Sequence, residues 1–298
     1  SPLPANNNCY FPPDTMTGPQ RRNLEKLLSE NAVDVFDAAV YFDSLGIFIL
    51  SGESAADYAA RVGRLLREID SLRAGTSKYM EFCKGSESVD NSICEAAVGI
   101  TEKAYGFRAD WVPAFKSGRR VGLLSEGILY EIDGVLPLIF IRNPNGRNAA
   151  AVLAHEICHA ARMGFGESIY DEWFPRNVEP SLFRRIFGNF FRNWKIPSIF
   201  FASAMASACL FALGLPLLGI AAAVPMAATV AVEARNRAVL AEARKKLVAA
   251  GLAPLPILFR MDDAEIFSIA KSESPKDWVS RAAEKSVRWK IYKARFPA

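Results

Sequence analysis

Apolar positions along the chain follow a helical period towards both ends and a strand-like period only in the middle. Over residues 20–42, Leu24, Leu27, Leu28, Val33 and Phe36 mark one helical face. An apolar run at 46–50 follows. Residues 54–73 repeat the helical pattern through Ala59, Val62, Leu65, Leu66 and Ile69, and Asn91–Tyr105 gives a third, weaker helix. From Arg119 the period shortens. Residues 121–124, 128–132 and 135–142 predict strands, with Asp133-Gly134 as a tight hairpin turn. Pro137 predicts that its strand lies at an edge or is bulged, because proline cannot donate to a ladder. Residues 149–162 are rich in Ala and carry no Gly or Pro, which predicts a helix with Asn148 as its N-cap. Gly164 and Gly166 break it. Residues 167–174 then predict a short helix stopped by Pro175.

Beyond this point the pattern changes character. Residues 181–195 place Phe183, Ile186, Phe187, Phe190 and Trp194 on one stripe, flanked by Arg184, Arg185, Arg192 and Lys195, which suits a helix lying at a membrane interface. Residues 196–232 hold no charged side chain, 37 positions in a row. One span takes about 20 residues, so this run suits two short ones. Gly214-Leu215-Pro216 at its middle would make the turn between 197–213 and 217–232. Both flanks are basic, which places both on the cytoplasmic side of such a hairpin. A polar helix over 233–250, ended by Gly251, follows. Residues 256–259 suggest a strand. Asp262 or Asp263 then caps a helix with Glu265 in its first turn, and a basic helix runs from 275 to 293.

Composition narrows the function. The net charge of +4 is mild and no long basic tract occurs, so nucleic acid is not an expected partner. The five cysteines are scattered, and no CxxC is present. They do not read as a disulfide framework, Cys83 and Cys94 being the one pair open to bridging. Both histidines of the chain lie in one helix, as His155-Glu156-Ile157-Cys158-His159. At 100° per residue His155, Glu156 and His159 share one third of its circumference. Two imidazoles at i and i+4 can hold one zinc ion. The carboxylate beside the first can then take a proton from a metal-bound water attacking a peptide carbonyl.

A catalytic zinc wants a third protein ligand. No third histidine exists, so that ligand is acidic. Glu172 follows the glycine turn and can fold back. Glu233 stands at the end of the apolar run and is the alternative, with Glu167 and Asp171 behind them. Tyr170 and Asp171 are candidates for an outer hydrogen-bonding or oxyanion role.

The HExxH with an acidic third ligand resembles the gluzincin metallopeptidases. Two patterns within that group compete. In one, of bacterial metallopeptidases, the motif is followed closely by a Tyr/Phe–acid–Glu segment, here Tyr170-Asp171-Glu172, though Pro175 stands where Ala is usual. The other is similar to the integral-membrane CAAX prenyl protease and heat-shock protease group. There a hydrophobic hairpin follows, then Glu-x-x-x-Asp; here Glu233 is present and position 237 is Arg. The resemblance covers at most residues 135–250. It implies an α+β fold, a mostly helical zincin-like domain with a small antiparallel sheet, plus a transmembrane helical hairpin. It also implies an edge strand that pairs with extended substrate, for which 135–142 is the candidate.

The expected organisation is a lead-in over 1–18, a helical region over 19–110 and a catalytic core over 111–195. A membrane hairpin over 196–232 and a C-terminal helical region over 233–298 packing on the core complete it. The expected protein is a two-span, zinc-dependent metallopeptidase acting on protein or peptide at the cytoplasmic face of a bilayer, by resemblance a bacterial inner membrane. The alternative is a non-catalytic membrane protein whose structural metal site supports partner binding.

Overall fold

The computed structural model describes residues 18–29, 32–122, 125–142, 146, 148–166, 168–182, 185 and 195–297. Helices α1 (Pro19–Leu27) and α2 (Ala32–Ser44) replace the single helix expected over 20–42. The chain leaves the first at Leu28 and Ser29, whose amides bond back to Leu24, Glu25 and Lys26. Helix α3 (Ala55–Arg73) starts where Ser54 accepts from the Asp57 amide and buries Val62, Leu65, Leu66 and Ile69, as its period predicts. A short α4 (Met80–Cys83) and then α5 (Asn91–Tyr105) follow, α5 closed by Gly106 in the left-handed region at φ +69°. Cys83 and Cys94 form no disulfide with each other.

The sheet has four strands, β1 (Glu87–Ser88), β2 (Ala114–Lys116), β3 (Gly127–Ile132) and β4 (Leu136–Ile141), in the order β1-β2-β4-β3. It is mixed rather than antiparallel, because β2 runs parallel to β4. The Asp133-Gly134 hairpin forms as predicted, both residues at positive φ. The position of β4 departs from expectation. All six of its residues are buried, and β2 and β3 cover its two sides. Residues 135–142 therefore offer no free edge. Pro137 is tolerated there for a geometric reason. The Ile139 amide donates to Pro113 beside β2, and position 137 faces the same way, beyond the point where β2 pairs. Its missing N–H has no ladder partner to lose. The outer strand on the opposite side of β4 is β3, half-exposed along its length. Val121 and Gly122 are not in a strand, their carbonyls being taken by the Arg142 guanidinium. Residues 123–124 lie outside the described residues.

Helix α6 (Ala149–Arg162) carries the histidines through the middle of the molecule. It packs on α5, β3, β4 and the one-turn helix α7 (Trp173–Asn177). Asn148 takes the N-cap position, though only through its carbonyl, which accepts from the Val152 amide. At the other end Arg162 is buried. Its guanidinium donates to the Phe259 carbonyl and lies against the Phe165 and Phe174 rings at 4.7 and 4.8 Å.

After the stretch 181–195, most of which lies outside the described residues, come α8 (Lys195–Ala212) and α9 (Pro216–Ala249). They pack as a hairpin around Gly214, at φ +74°. Among the described residues α9 is the one helix long and apolar enough to cross a membrane; α8 is apolar but shorter. Only 6% of the apolar window of α9 is buried, which separates it from the core helix of a soluble domain. Phe201, Met205, Phe211, Leu217, Leu218 and Ile220 stand exposed. The polar half of α9 runs on unbroken to Ala249, as predicted.

The remaining helices are α10 (Pro254–Arg260), α11 (Asp263–Lys271), α12 (Pro275–Lys285) and α13 (Val287–Arg295). Residues 256–259 are thus helical rather than a strand. Both prolines fall in the first turn, where their missing N–H groups cost nothing, and burial of Ile257, Leu258 and Phe259 erases the amphipathic signal. Asp262 and Glu265 form the capping box. Extended Ser286 splits the helix expected over 275–293. One contiguous apolar core runs from Leu27 to Phe296.

Candidate metal centre

Three side chains converge. His155 and His159, one turn apart on α6, bring their Nε2 atoms to 3.2 Å. Glu172 enters from the start of α7, with Oε1 3.4 Å from His159 Nε2 and Oε2 3.7 Å from His155 Nε2. The fold-back that delivers it rests on local chemistry. Gly164 and Gly166 adopt φ of +96° and +74°, which turn the chain at the end of α6. Asp263 then catches the returning loop, accepting from Ser168 Oγ at 2.6 Å and the Ile169 amide at 2.7 Å. Tyr105 fixes α7 from behind by donating to the Phe174 carbonyl at 2.6 Å. Pro175 does not stop a helix here. It sits in the first turn of α7, and the helix begins where the sequence suggested an end.

The donor set is of a kind that holds a metal ion. Two imidazoles at about 2.0–2.1 Å from a tetrahedral ion stand about 3.3 Å apart, with a carboxylate oxygen at a similar distance from each. The two imidazole nitrogens stand 3.2 Å apart, and the Glu172 carboxylate meets them through different oxygens, Oε1 at 3.4 Å from His159 and Oε2 at 3.7 Å from His155. Two neutral imidazole lone pairs facing each other at 3.2 Å repel unless a cation or proton lies between them. Glu172 Oε2 is buried without a hydrogen bond, as is His155 Nδ1.

The electrostatics keep the ligand set ready. Burial alone would raise the Glu172 carboxyl. The hydrogen bond and charge of His159, with His155 and Arg176 beyond, outweigh it and hold the group down at about 2. Glu156 is buried on the same helix, and desolvation raises its carboxyl above the usual range against the pull of both histidines. The two carboxyls are thus pushed in opposite directions by their surroundings. Glu156 also has a tightly fitted neighbour. A Cβ on Gly127, at the start of β3, would come within 2.9 Å of both Glu156 Oε1 and Val152 Cγ1.

The other sequence candidates fall elsewhere. Glu233 is engaged by Arg237 at 2.9 Å and is not among the groups gathered at the histidines. Tyr170 does not face the site as an oxyanion group. Its hydroxyl donates to the Asn236 carbonyl on α9 at 3.1 Å, in a fully buried strut. Asp171 stands behind the site, 3.9 Å from His159 Nδ1 and 3.5 Å from Arg162 Nε. Glu167 lies outside the described residues. Sequence reasoning missed Arg176 and Glu179. Arg176 Nε is 3.2 Å from Glu172 Oε2, and its Nη1 donates to Glu179 Oε1 at 2.7 Å. Glu179 is buried, with Oε1 3.0 Å from His155 Nδ1, a charge contact without the alignment of a full hydrogen bond. The signal was present: positions 172, 176 and 179 share one helical face. Reading Pro175 as a stop hid it.

Compared with protein-family models, with curated proteins and with solved structures, the chain matches none.

Proposed function

We propose that this protein is a membrane-anchored zinc metallopeptidase. The observation that carries the reading is the convergence of His155, His159 and Glu172 at metal-binding separations, with Glu156 buried beside them. His155, His159 and Glu172 would hold the ion, which when bound supplies Lewis acidity to a carbonyl and lowers the pKa of water. Glu156 takes the proton as water attacks the substrate carbonyl. It then returns that proton to the leaving amine, so one carboxyl serves both half-reactions. Its burial excludes competing water from this transfer. The half-exposed β3, whose first residue abuts Glu156, is the element beside which an extended peptide would lie.

The length and exposed apolar surface of α9 support one membrane crossing, and the shorter apolar α8 packed against it is read as the second arm of a hairpin. Arg235, Arg244, Lys245 and Lys246 on the polar half of α9 support a cytoplasmic placement of the site. The decisive experiment is elemental analysis of detergent-purified protein alongside hydrolysis of an unstructured protein such as casein. Wild type should hold one zinc per chain. Glu172→Ala should lose it, Glu233→Ala should keep it, and Glu156→Gln should keep the metal while losing hydrolysis. Zinc-free wild type, or undiminished hydrolysis by Glu156→Gln, overturns the proposal. Cobalt-substituted protein whose visible bands ignore a hydroxamate would favour instead a closed, structural site in a partner-binding protein.

A further inference from the structure

The two ligands on α6 and the one on α7 come from different elements, so something must hold the elements in register. Resting on the metal-centre reading above, we propose that Arg176 and Glu179 act together as a clamp that positions Glu172 and His155 at metal-binding distance. Both belong to the segment that supplies Glu172, and each reaches a different ligand. Arg176 Nε is 3.2 Å from Glu172 Oε2, the oxygen that faces His155; Oε1 faces His159. Glu179 Oε1 is 3.0 Å from His155 Nδ1, on the ring face opposite the nitrogen that points to the other ligands. The two are joined to each other by the 2.7 Å bond from Arg176 Nη1 to that same Glu179 oxygen. A continuous path therefore runs from Glu172 through Arg176 and Glu179 to His155.

The chemistry of each link is specific. A carboxylate 3.0 Å from Nδ1 draws the ring proton to that side, which leaves the Nε2 lone pair facing the other ligands. A guanidinium carries its charge over a rigid plane, so Arg176 holds an ion pair with Glu172 through Nε while its Nη1 donates to Glu179. It also neutralises the repulsion between Glu172 and Glu179, both half-buried or deeper in this face. Among the described residues no acid stands this near to His159 Nδ1. That atom lies 3.9 Å from Asp171, beyond hydrogen-bonding distance, and Asp171 is itself drawn to Arg162. The clamp thus acts on one histidine and on the acidic ligand.

Because the clamp is one path, its two members should not contribute independently. The test is zinc affinity by competition with a chromophoric chelator, using the full chain in detergent. Glu179→Gln and Arg176→Gln should each weaken zinc about 10- to 100-fold, the range for lost outer partners of a ligand. The double variant should be no weaker than about threefold beyond the worse single, since either change cuts the path. Glu179→Asp should recover part of the loss. Cobalt-substituted Glu179→Gln should shift its visible bands, which a general loss of stability would not do. Unchanged affinity in both singles, or losses that multiply in the double variant, overturns the clamp while wild-type zinc binding stands. Wild type that binds no zinc removes the metal centre and the clamp with it.

Discussion

At the scale of single residues, the site depends on one position with no side chain at all. Gly127 is needed because β3 passes directly over Glu156, and the space a methyl would fill is occupied by the carboxyl and by Val152. Gly127→Ala should therefore displace the base while leaving the ligands in place. We expect hydrolysis to fall at least tenfold with zinc content near wild type, and stability to drop by about 1–3 kcal/mol from overpacking. Equal activity in the two proteins would show that Glu156 has room to move. The Glu172 carboxyl and the Glu156 carboxyl make the same point about environment. They are chemically near-identical, yet contact with His159 lowers one and burial raises the other. That contrast is invisible in the letters Glu and Glu.

At the scale of elements, the two helices of the hairpin are tied by side-chain hydroxyls beside an internal proline. Pro225 lies inside α9 and removes one N–H from the ladder, leaving the Ala221 carbonyl without its usual donor. On the facing helix Ser203 Oγ donates to the Ala222 carbonyl and accepts from the Met226 amide at 3.3 Å. A second hydroxyl, Ser207, donates to the Gly219 carbonyl at 2.8 Å. In hydrocarbon no water can take over such bonds. Ser203→Ala should destabilise the hairpin by about 0.6–1.7 kcal/mol, the range for interhelical bonds in bilayers. The loss should shrink in a Pro225→Ala background, where the ladder is whole. A double-mutant cycle on thermal stability in micelles checks this, and strict additivity would count against the coupling.

At the scale of the whole molecule, the N- and C-terminal regions are locked by charge as well as by the shared core. Asp43 at the end of α2 is buried and bonds to Arg260 of α10 at 2.9 Å and to Arg295 of α13. Arg260, with no exposed surface, also donates to the Tyr105 carbonyl at 2.7 Å and lies over the Phe48 and Phe296 rings. Breaking one partner of such a pair strands a buried charge, at about 3–5 kcal/mol. Asp43→Ala should lose that much in denaturant titration, with zinc lost in the same transition as secondary structure. A loss under about 1 kcal/mol, or separate transitions for metal and fold, would mean that the two ends are independent units.

How much of this the sequence carried depended on distance along the chain. The α6 motif, the α3 and α5 boundaries, the Asp133-Gly134 turn, the Asp262 capping box and the apolar hairpin were legible because each is fixed by neighbours within one or two turns. Burial misled where it erased periodicity, so that 256–259 read as a strand; Pro137 misled at 135–142, read as an edge or bulged strand though it pairs on both sides. Strands of two or three residues, β1 and β2, left no alternation to detect. The sequence by itself determined that two imidazoles and a carboxylate share a helical face, since helix geometry dictates it. Only the tertiary structure decided that Glu172 and not Glu233 meets them, that Tyr170 turns away, and that Arg176 and Glu179 stand behind. Those choices are made by how α7 folds back on α6, through contacts with α5 and α11 that are remote in sequence, and no local pattern encodes them.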